Sequence, residues 1–175
     1  MPHISTTSLT TRLVTVDTEL AFSEVISLLE NNVNKNSTTN IWDIVATATT
    51  STELEGRINE IIEDRDFLYF SQAPYNSWLS LQLGRSVPKT VVYTLGNPLI
   101  AATILKFELK AALVVPFRLL VSEKEDGSGT TVAYYLPSSL VVLNEEENEL
   151  HRNVEQLDAK IANLVLSITS PKVVT

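Results

Sequence analysis

Three polar side chains on predicted strands have the chemistry of an acid-base enzyme that acts on an anionic substrate. Arg118 interrupts the apolar strand of residues 116–121, and a guanidinium binds a carboxylate or phosphate through two parallel hydrogen bonds. Tyr93 and Tyr134 carry hydroxyls that can transfer a proton. Structural alternatives stay open: Arg118 can pair with Glu123 or face solvent, and tyrosines on strands usually pack in a core.

Two further residues are candidates for ligand binding. Asn97 stands in Gly96-Asn97-Pro98, at the predicted start of a helix, where free backbone N–H groups can hold an anion. The alternative is a strand-to-helix turn in which the Asn97 side chain hydrogen-bonds the backbone. Trp78 offers an aromatic surface and precedes the strands that carry the tyrosines. Asn97, Trp78 and Arg118 are the predicted ligand-binding residues.

Other residue types that carry chemistry are scarce. The chain has no cysteine, which excludes disulfides, zinc-thiolate sites, iron-sulfur clusters and a cysteine nucleophile. His3, near the terminus, and His151, in an acidic helix, are its two histidines, so a histidine-based triad or metal site is not expected. The acidic segments 145–149 and 123–127 are interpreted as a helix start and a hairpin turn. We expect no metal and no cofactor.

The composition is that of a globular protein, with 44% hydrophobic and 19% charged residues in a chain of 175. The net charge of -8, with 13 basic residues that form no cluster, disfavours binding to nucleic acid or to an anionic membrane. No apolar run approaches the roughly 20 residues that span a bilayer, and residues 1–14 lack the pattern of a signal peptide. We therefore expect a soluble, cytoplasmic protein.

Strand patterns occur at residues 10–16, 66–70, 89–95, 117–123 and 130–136. The last two are predicted to form a hairpin across the turn 125–129, whose two glycines can adopt positive φ. Residues 41–49 fit either a strand or a helix.

Helical patterns cover residues 22–33, 52–62, 98–109 and 144–168. Thr52 with Glu55, and Asn144 with Glu147, have the spacing of a capping box. Pro98 suits the first position of a helix, where its missing N–H costs nothing. The mixture predicts an α+β fold: a single mixed or antiparallel sheet of four to six strands, with helices packed mainly on one face. We expect a single domain at 7–169, with flexible termini at 1–6 and 170–175.

Several of these segments together resemble one family. They are Gly96-Asn97-Pro98, residues 111–121, Glu123, Asp126-Gly127 and Val132-Ala133-Tyr134. As a set they are similar to the signature of the domain-of-unknown-function 302 family: a Gly-Asn-Pro turn, a Leu-Pro-x-Arg strand, an acidic turn with glycine and a tyrosine-containing strand. Residues 67–78 and 156–160 also resemble a fungal-like branch of that family.

The resemblance implies a small α+β domain, for which dimerisation is one expectation, and it implies no reaction. Members often carry a histidine in the segment between the aromatic strand and the tryptophan. Here that segment is Ala73-Pro74-Tyr75-Asn76-Ser77, so chemistry that depends on such an imidazole would be lost or altered.

The leading functional hypothesis is a domain that binds a small molecule, pairs with itself, or does both, without catalysis. The alternative is an enzyme of lyase or isomerase type, in which Tyr93 or Tyr134 is the acid-base and Arg118 anchors an anion. Whether the protein is an enzyme stays open at this point.

Overall fold

The strands form one antiparallel sheet. The structure, a computed structural model, describes residues 1–37, 39–141 and 149–171. Within those residues the strands lie in the spatial order β1-β5-β4-β3-β2, and every neighbouring pair is antiparallel. Their bounds are β1 Leu13–Thr18, β2 Leu68–Pro74, β3 Thr90–Gly96, β4 Phe117–Glu123 and β5 Thr130–Tyr135. The predicted single sheet of an α+β fold is confirmed.

Six α-helices accompany the sheet in the described ranges. Their bounds are α1 Phe22–Asn32, α2 Ile41–Thr47, α3 Ser51–Ile62, α4 Tyr75–Leu83, α5 Pro98–Leu105 and α6 Glu149–Thr169. Short 3-10 helices occupy Leu109–Leu113 and Pro137–Ser139. The predicted cap at Asn144 and Glu147 lies outside the described residues.

The main core lies between one face of the sheet and helices α1, α5 and α6. Alternate strand residues point into it because side chains alternate along a strand. These are Tyr93, Leu95, Phe117, Leu119, Val121, Val132 and Tyr134. The predicted apolar stripe of α6 is buried against them at Leu150, Val154, Leu157, Ile161, Leu164 and Ile168. This stripe therefore packs on the protein's own sheet.

A second, smaller core joins α2 and α3 to the start of β2. Its buried members are Ile41, Ile44, Ile58, Ile62 and Leu68. The ambiguous segment 41–49 is therefore a helix over Ile41–Thr47, which buries its first and fourth residues. Asn40 caps this helix by accepting a hydrogen bond from the backbone N–H of Trp42 at 2.9 Å.

Helix α3 begins earlier than its predicted capping box. Two overlapping sequences have the required spacing, and the structure uses the first. Thr50 accepts from the N–H of Glu53 at 3.2 Å, and Glu53 accepts from the N–H of Thr49 at 3.0 Å. The predicted capping role of Thr52 and Glu55 is therefore wrong, because Thr50 is the residue that caps the helix.

Strand β2 continues past its predicted end to Pro74. It lies at the edge of the sheet and pairs with β3, so the missing N–H of proline breaks no ladder bond there. Helix α5 instead stops at Leu105, short of the predicted residue 109. Glu108 then caps the following 3-10 helix by accepting from the N–H of Lys110 at 2.8 Å.

The predicted hairpin of β4 and β5 is confirmed, and its turn depends on Gly129. This residue has φ +148°, and a Cβ placed on it would lie 2.0 Å from the carbonyl oxygen of Thr18. Only glycine fits such a conformation and so close a backbone approach.

No helix among the described residues is long and apolar enough to cross a bilayer. The domain limits 7–169 and the flexible termini stay predictions.

Candidate functional site

An apolar cavity of about 280 Å³ opens where β3 ends and β4 begins. Its walls come from α2, β2 and the residue before it, the end of β3, α5, the segment that leads into β4, and α6. They include Trp42, Phe67, Phe70, Gly96, Asn97, Pro98, Ile100, Ala101, Val115, Pro116, Phe117 and Leu157. We call this space the Gly96 cavity. Two segments that carry the family resemblance, Gly96-Asn97-Pro98 and Val115-Pro116-Phe117, meet in its walls.

Gly96 allows these two segments to approach each other. A Cβ placed on Gly96 would lie 2.9 Å from the Cβ of Pro116 and 3.3 Å from Cε2 of Phe70. Protein interiors are packed too densely to absorb such contacts without a shift of the neighbours. The absence of a side chain at Gly96 therefore lets Pro116 and Phe70 close around the end of β3.

Asn97 caps α5 and ties it to the loop before β2. Its side-chain oxygen accepts from the N–H of Leu99 at 2.9 Å, and its amide donates to the carbonyl of Asp66 at 3.1 Å. Pro98 occupies the first turn, where no N–H is needed. The turn alternative predicted for this segment is thus formed, and Asn97 also lines the Gly96 cavity. Its two bonds engage one amide hydrogen and one oxygen lone pair.

Two aromatic pairs shape the Gly96 cavity. Phe67 and Phe117 meet edge to face, with ring centroids 4.9 Å apart. Trp42 and Phe70 meet in the same way at 5.3 Å. Such T-shaped contacts hold rings in defined orientations and leave faces and edges for a further ring. Trp42 is 54% exposed, so it lies at the mouth rather than in the interior.

Trp42 did not emerge as a candidate from the sequence. It stands in the segment whose strand or helix type was ambiguous, and its neighbours in the cavity lie far along the chain. The signal that points to it is the Asn40 cap, which makes Ile41 and Ile44 the buried face of a short helix. Trp42 then lies off that face and toward solvent.

Arg118 lies on the opposite face of the sheet from the main core. The residues on either side of it, Phe117 and Leu119, are buried, and Arg118 is exposed. It donates to the hydroxyl of Tyr75 at 3.1 Å. The ion pair with Glu123 that was one alternative is not formed, because Glu123 pairs with Lys89 at 3.3 Å.

Tyr93 and Tyr134 are buried on the core face. Burial raises the pKa of Tyr93, and a hydrogen bond that its hydroxyl donates to Glu30 at 2.7 Å raises it further. Burial, with a smaller effect from Asp158, raises the pKa of Tyr134. Both phenols are therefore held in the protonated form. The structure does not bring either one together with Arg118.

Trp78 lies on α4, with 55% of its surface exposed. Its ring meets that of Tyr75 edge to face at 6.2 Å. Tyr75 therefore links two of the predicted ligand-binding residues, Arg118 and Trp78, in a surface cluster on the outer face of the sheet. The third, Asn97, lies apart from them at the Gly96 cavity.

Within the part of the chain that the structure describes, no group of three or more His, Asp or Glu side chains could hold a metal. Residues 145–147 of the acidic cluster lie outside that part, and Glu149 pairs with Lys106 at 2.7 Å. This contact lowers the pKa of Glu149. In the hairpin turn, Asp126 accepts from the N–H of Ser128 at 2.9 Å. His3 is exposed, and His151 is half-buried on α6.

The walls of the Gly96 cavity and the hairpin beside it come largely from one stretch of sequence that known proteins share. Residues 44–168 match the family described as "Domain of unknown function DUF302". The chain belongs to this DUF302 family. The DUF302 assignment confirms the resemblance seen in the sequence, and its fungal-like branch stays a prediction.

A solved structure shares the fold. The chain is similar to the "uncharacterized conserved protein DUF302 from Bacillus stearothermophilus", with a TM-score of 0.61 and 18% sequence identity. The likeness covers 89% of this chain and 97% of that one. At this identity it shows a common DUF302 fold and nothing of function. No curated protein matches the sequence.

Proposed function

We propose that this DUF302 protein binds a small molecule, whose apolar part lies in the Gly96 cavity, without changing it chemically. One observation carries the proposal: the described walls of a cavity of about 280 Å³ contain no residue that titrates. Ligand sites are typically concave and apolar, with a few polar groups that fix orientation. Acid-base catalysis instead needs a titratable group within hydrogen-bond reach of the substrate.

The volume favours a flat ligand of two fused rings. A dry apolar cavity of about 150 Å³ holds one benzene ring, so one nearly twice as large accommodates a bicycle. The aromatic pairs Phe67–Phe117 and Trp42–Phe70 offer edges and faces to such a ring system. Asn97 supplies the polar contact in this proposal, through the amide hydrogen and the oxygen lone pair that its bonds to Asp66 and Leu99 do not engage. The lone pair can accept from a ring N–H.

The enzyme alternative receives less support from the geometry. Arg118 is exposed on one face of the sheet, while Tyr93 and Tyr134 are buried on the other. A substrate on the arginine would be separated from both phenols by the sheet itself. The cytoplasmic location expected from the sequence stays a prediction.

Calorimetric titration with indole, a neutral bicycle, tests the binding proposal. We expect a Kd on the order of 0.1 mM for a ligand of this size. Ala101→Leu fills the Gly96 cavity from the wall of α5 and is expected to weaken binding at least about tenfold, at equal or higher thermal stability. Ala159→Leu is the control, because Ala159 is an exposed residue of α6. Equal binding by all three proteins would contradict the proposal.

A second candidate function is self-association through α4. This helix, Tyr75–Leu83, contains no charged residue and no buried residue, and Leu81 is 85% exposed. An interface between identical copies brings each surface against itself, so like charges would repel. The chain has a net charge of -8, and α4 offers a surface without charges on which two copies could meet. We therefore propose a second copy of this chain as the occupant of α4.

A further inference from the structure

A second cavity, of about 240 Å³, adjoins the Gly96 cavity. The two share a boundary, because Trp42 and Phe70 line both. The remaining walls of the second cavity are largely polar and include Asn34, Lys35, Ser37, Thr39 and Asn40. We call it the Lys35 cavity. The tryptophan and the phenylalanine thus separate an apolar space from a polar one.

Lys35, a wall residue of this polar space, carries an ammonium that is paired with the carboxylate of Glu30. Lys35 is the only charged residue among the described wall residues of the two cavities. Its ammonium donates to a carboxylate oxygen of Glu30 and lies 5.5 Å from the ring centroid of Tyr69 and 5.9 Å from that of Tyr93. These contacts hold the ammonium in place beside the cavity. The side chain is 24% exposed, so it is sheltered and still accessible.

We propose that the ligand of this protein is an amphipathic carboxylate. Its ring system occupies the Gly96 cavity, and its carboxylate crosses the edge of the Trp42–Phe70 pair to accept hydrogen bonds from Lys35. This inference rests on the proposed function, since it names the class of ligand for the same site.

The chemistry of Lys35 permits this second partner. An ammonium has three N–H donors, and the bond to Glu30 engages one of them. Glu30 also accepts from the hydroxyl of Tyr93 at 2.7 Å, so its negative charge is shared between two donors. A hydrogen bond between ammonium and carboxylate is about twice as strong as a neutral one. Because the whole chain carries a charge of -8, an anion gains from this site only through the local cation.

Matched acids and amides test the proposal. The acids are indole-3-carboxylate, indole-3-acetate and indole-3-propanoate, which place the carboxylate at increasing distance from the ring, and each has a neutral amide of the same shape. Calorimetry gives the affinity of each for the native protein, Lys35→Gln and Lys35→Arg. We expect at least one acid to bind about tenfold more tightly than its amide. This preference should disappear in Lys35→Gln and persist in Lys35→Arg.

The outcomes separate this inference from the proposed function. Amides that bind Lys35→Gln as they bind the native protein show that the variant is folded. Equal affinity of acid and amide for all three pairs overturns the carboxylate proposal alone, as does a preference that survives in Lys35→Gln. Tighter binding of tryptamine, which carries an ammonium, than of the amides also overturns it. If indole itself does not bind, both the proposed function and this inference are overturned.

Discussion

The surroundings of Gly96 and Tyr93 restrict which side chain each position can carry. At Gly96 the chain has no room for a side chain, because Pro116 and Phe70 close on the end of β3. At Tyr93 the core accepts a hydroxyl because Glu30 is within hydrogen-bond distance. Gly96 sets the shape of the cavity, and Tyr93 stabilises the core below Lys35.

Gly96→Ala is expected to lower the free energy of unfolding by about 1–3 kcal/mol, because the added methyl would overpack the cavity wall. Gly56→Ala is the matched control. Gly56 lies inside α3, and an added Cβ would meet no atom within 4 Å beyond the backbone of its own helix. Alanine there should therefore stabilise the protein by about 0.5–1 kcal/mol. Urea denaturation measures both. A neutral or stabilising effect of Gly96→Ala would show that the neighbours yield freely.

Tyr93→Phe removes the hydrogen bond to Glu30 and is expected to cost about 1–2 kcal/mol near neutral pH. Burial raises the pKa of Tyr93 in the folded protein above the value of about 10 that it has when unfolded. The unfolded chain therefore loses this proton first, so the stabilisation is fully present below about pH 10 and is lost as the pH rises further. The difference from the native protein should stay constant up to about pH 9 and then shrink.

Denaturation of both proteins at several pH values checks the Tyr93 prediction. Tyr135→Phe serves as its control, since Tyr135 is 52% exposed and the change should alter the free energy of unfolding by less than about 0.5 kcal/mol. If the difference in free energy of unfolding between the native protein and Tyr93→Phe grew above pH 10, the direction of the pKa shift derived from burial would be contradicted.

At the scale of elements, α4 differs from the other helices because it has no buried residue. If α4 pairs with a second copy, Leu81→Glu should weaken self-association at least about tenfold, because it places like charges in the same interface. Leu113→Glu is the control: Leu113 is 91% exposed and lies outside α4. Sedimentation velocity over a range of concentrations measures the effect. Monomeric native protein at every concentration would remove the second candidate function.

The elements that were predictable from the sequence are those with local signals. The hairpin of β4 and β5 follows from two alternating strands and turn glycines, and the stripe of α6 follows from steps of three and four residues. Boundaries were less predictable where neighbours decide them. Strand β2 runs as far as Pro74, because a proline is tolerated in a strand at the edge of a sheet. The position of a strand at the edge is a property of the assembled sheet and cannot be predicted from the local sequence.

The candidate site could be predicted only in part. Asn97 was identified from its turn and lines the Gly96 cavity, but Arg118 and Trp78 lie elsewhere. Arg118 interrupts an apolar strand, and the alternation of side chains along that strand directs it away from the core. Its partner Tyr75 is 43 residues away, and no local pattern connects the two.

At the scale of the whole molecule, the Gly96 cavity is a product of topology. Its walls bring together Trp42, Phe70, Gly96, Phe117 and Leu157, which lie on five different elements. The antiparallel order β4-β3-β2 brings the start of β4, the end of β3 and the start of β2 to the same end of the sheet. Helices α2, α5 and α6 close around them. Such long-range convergence has no sequence period, which is why the cavity could not be predicted from the chain alone.

The most direct test of ligand binding at the Gly96 cavity uses the two tryptophans of the chain as reporters. In a ¹⁵N-labelled protein each indole N–H gives its own NMR signal, one at the mouth of the cavity and one on α4. Titration with unlabelled indole should shift the Trp42 signal in a saturable manner and leave the Trp78 signal in place. In Ala101→Leu the Trp42 shift should require at least about tenfold more indole. An unmoved Trp42 signal in the native protein, or a shift confined to Trp78, would contradict binding in the Gly96 cavity.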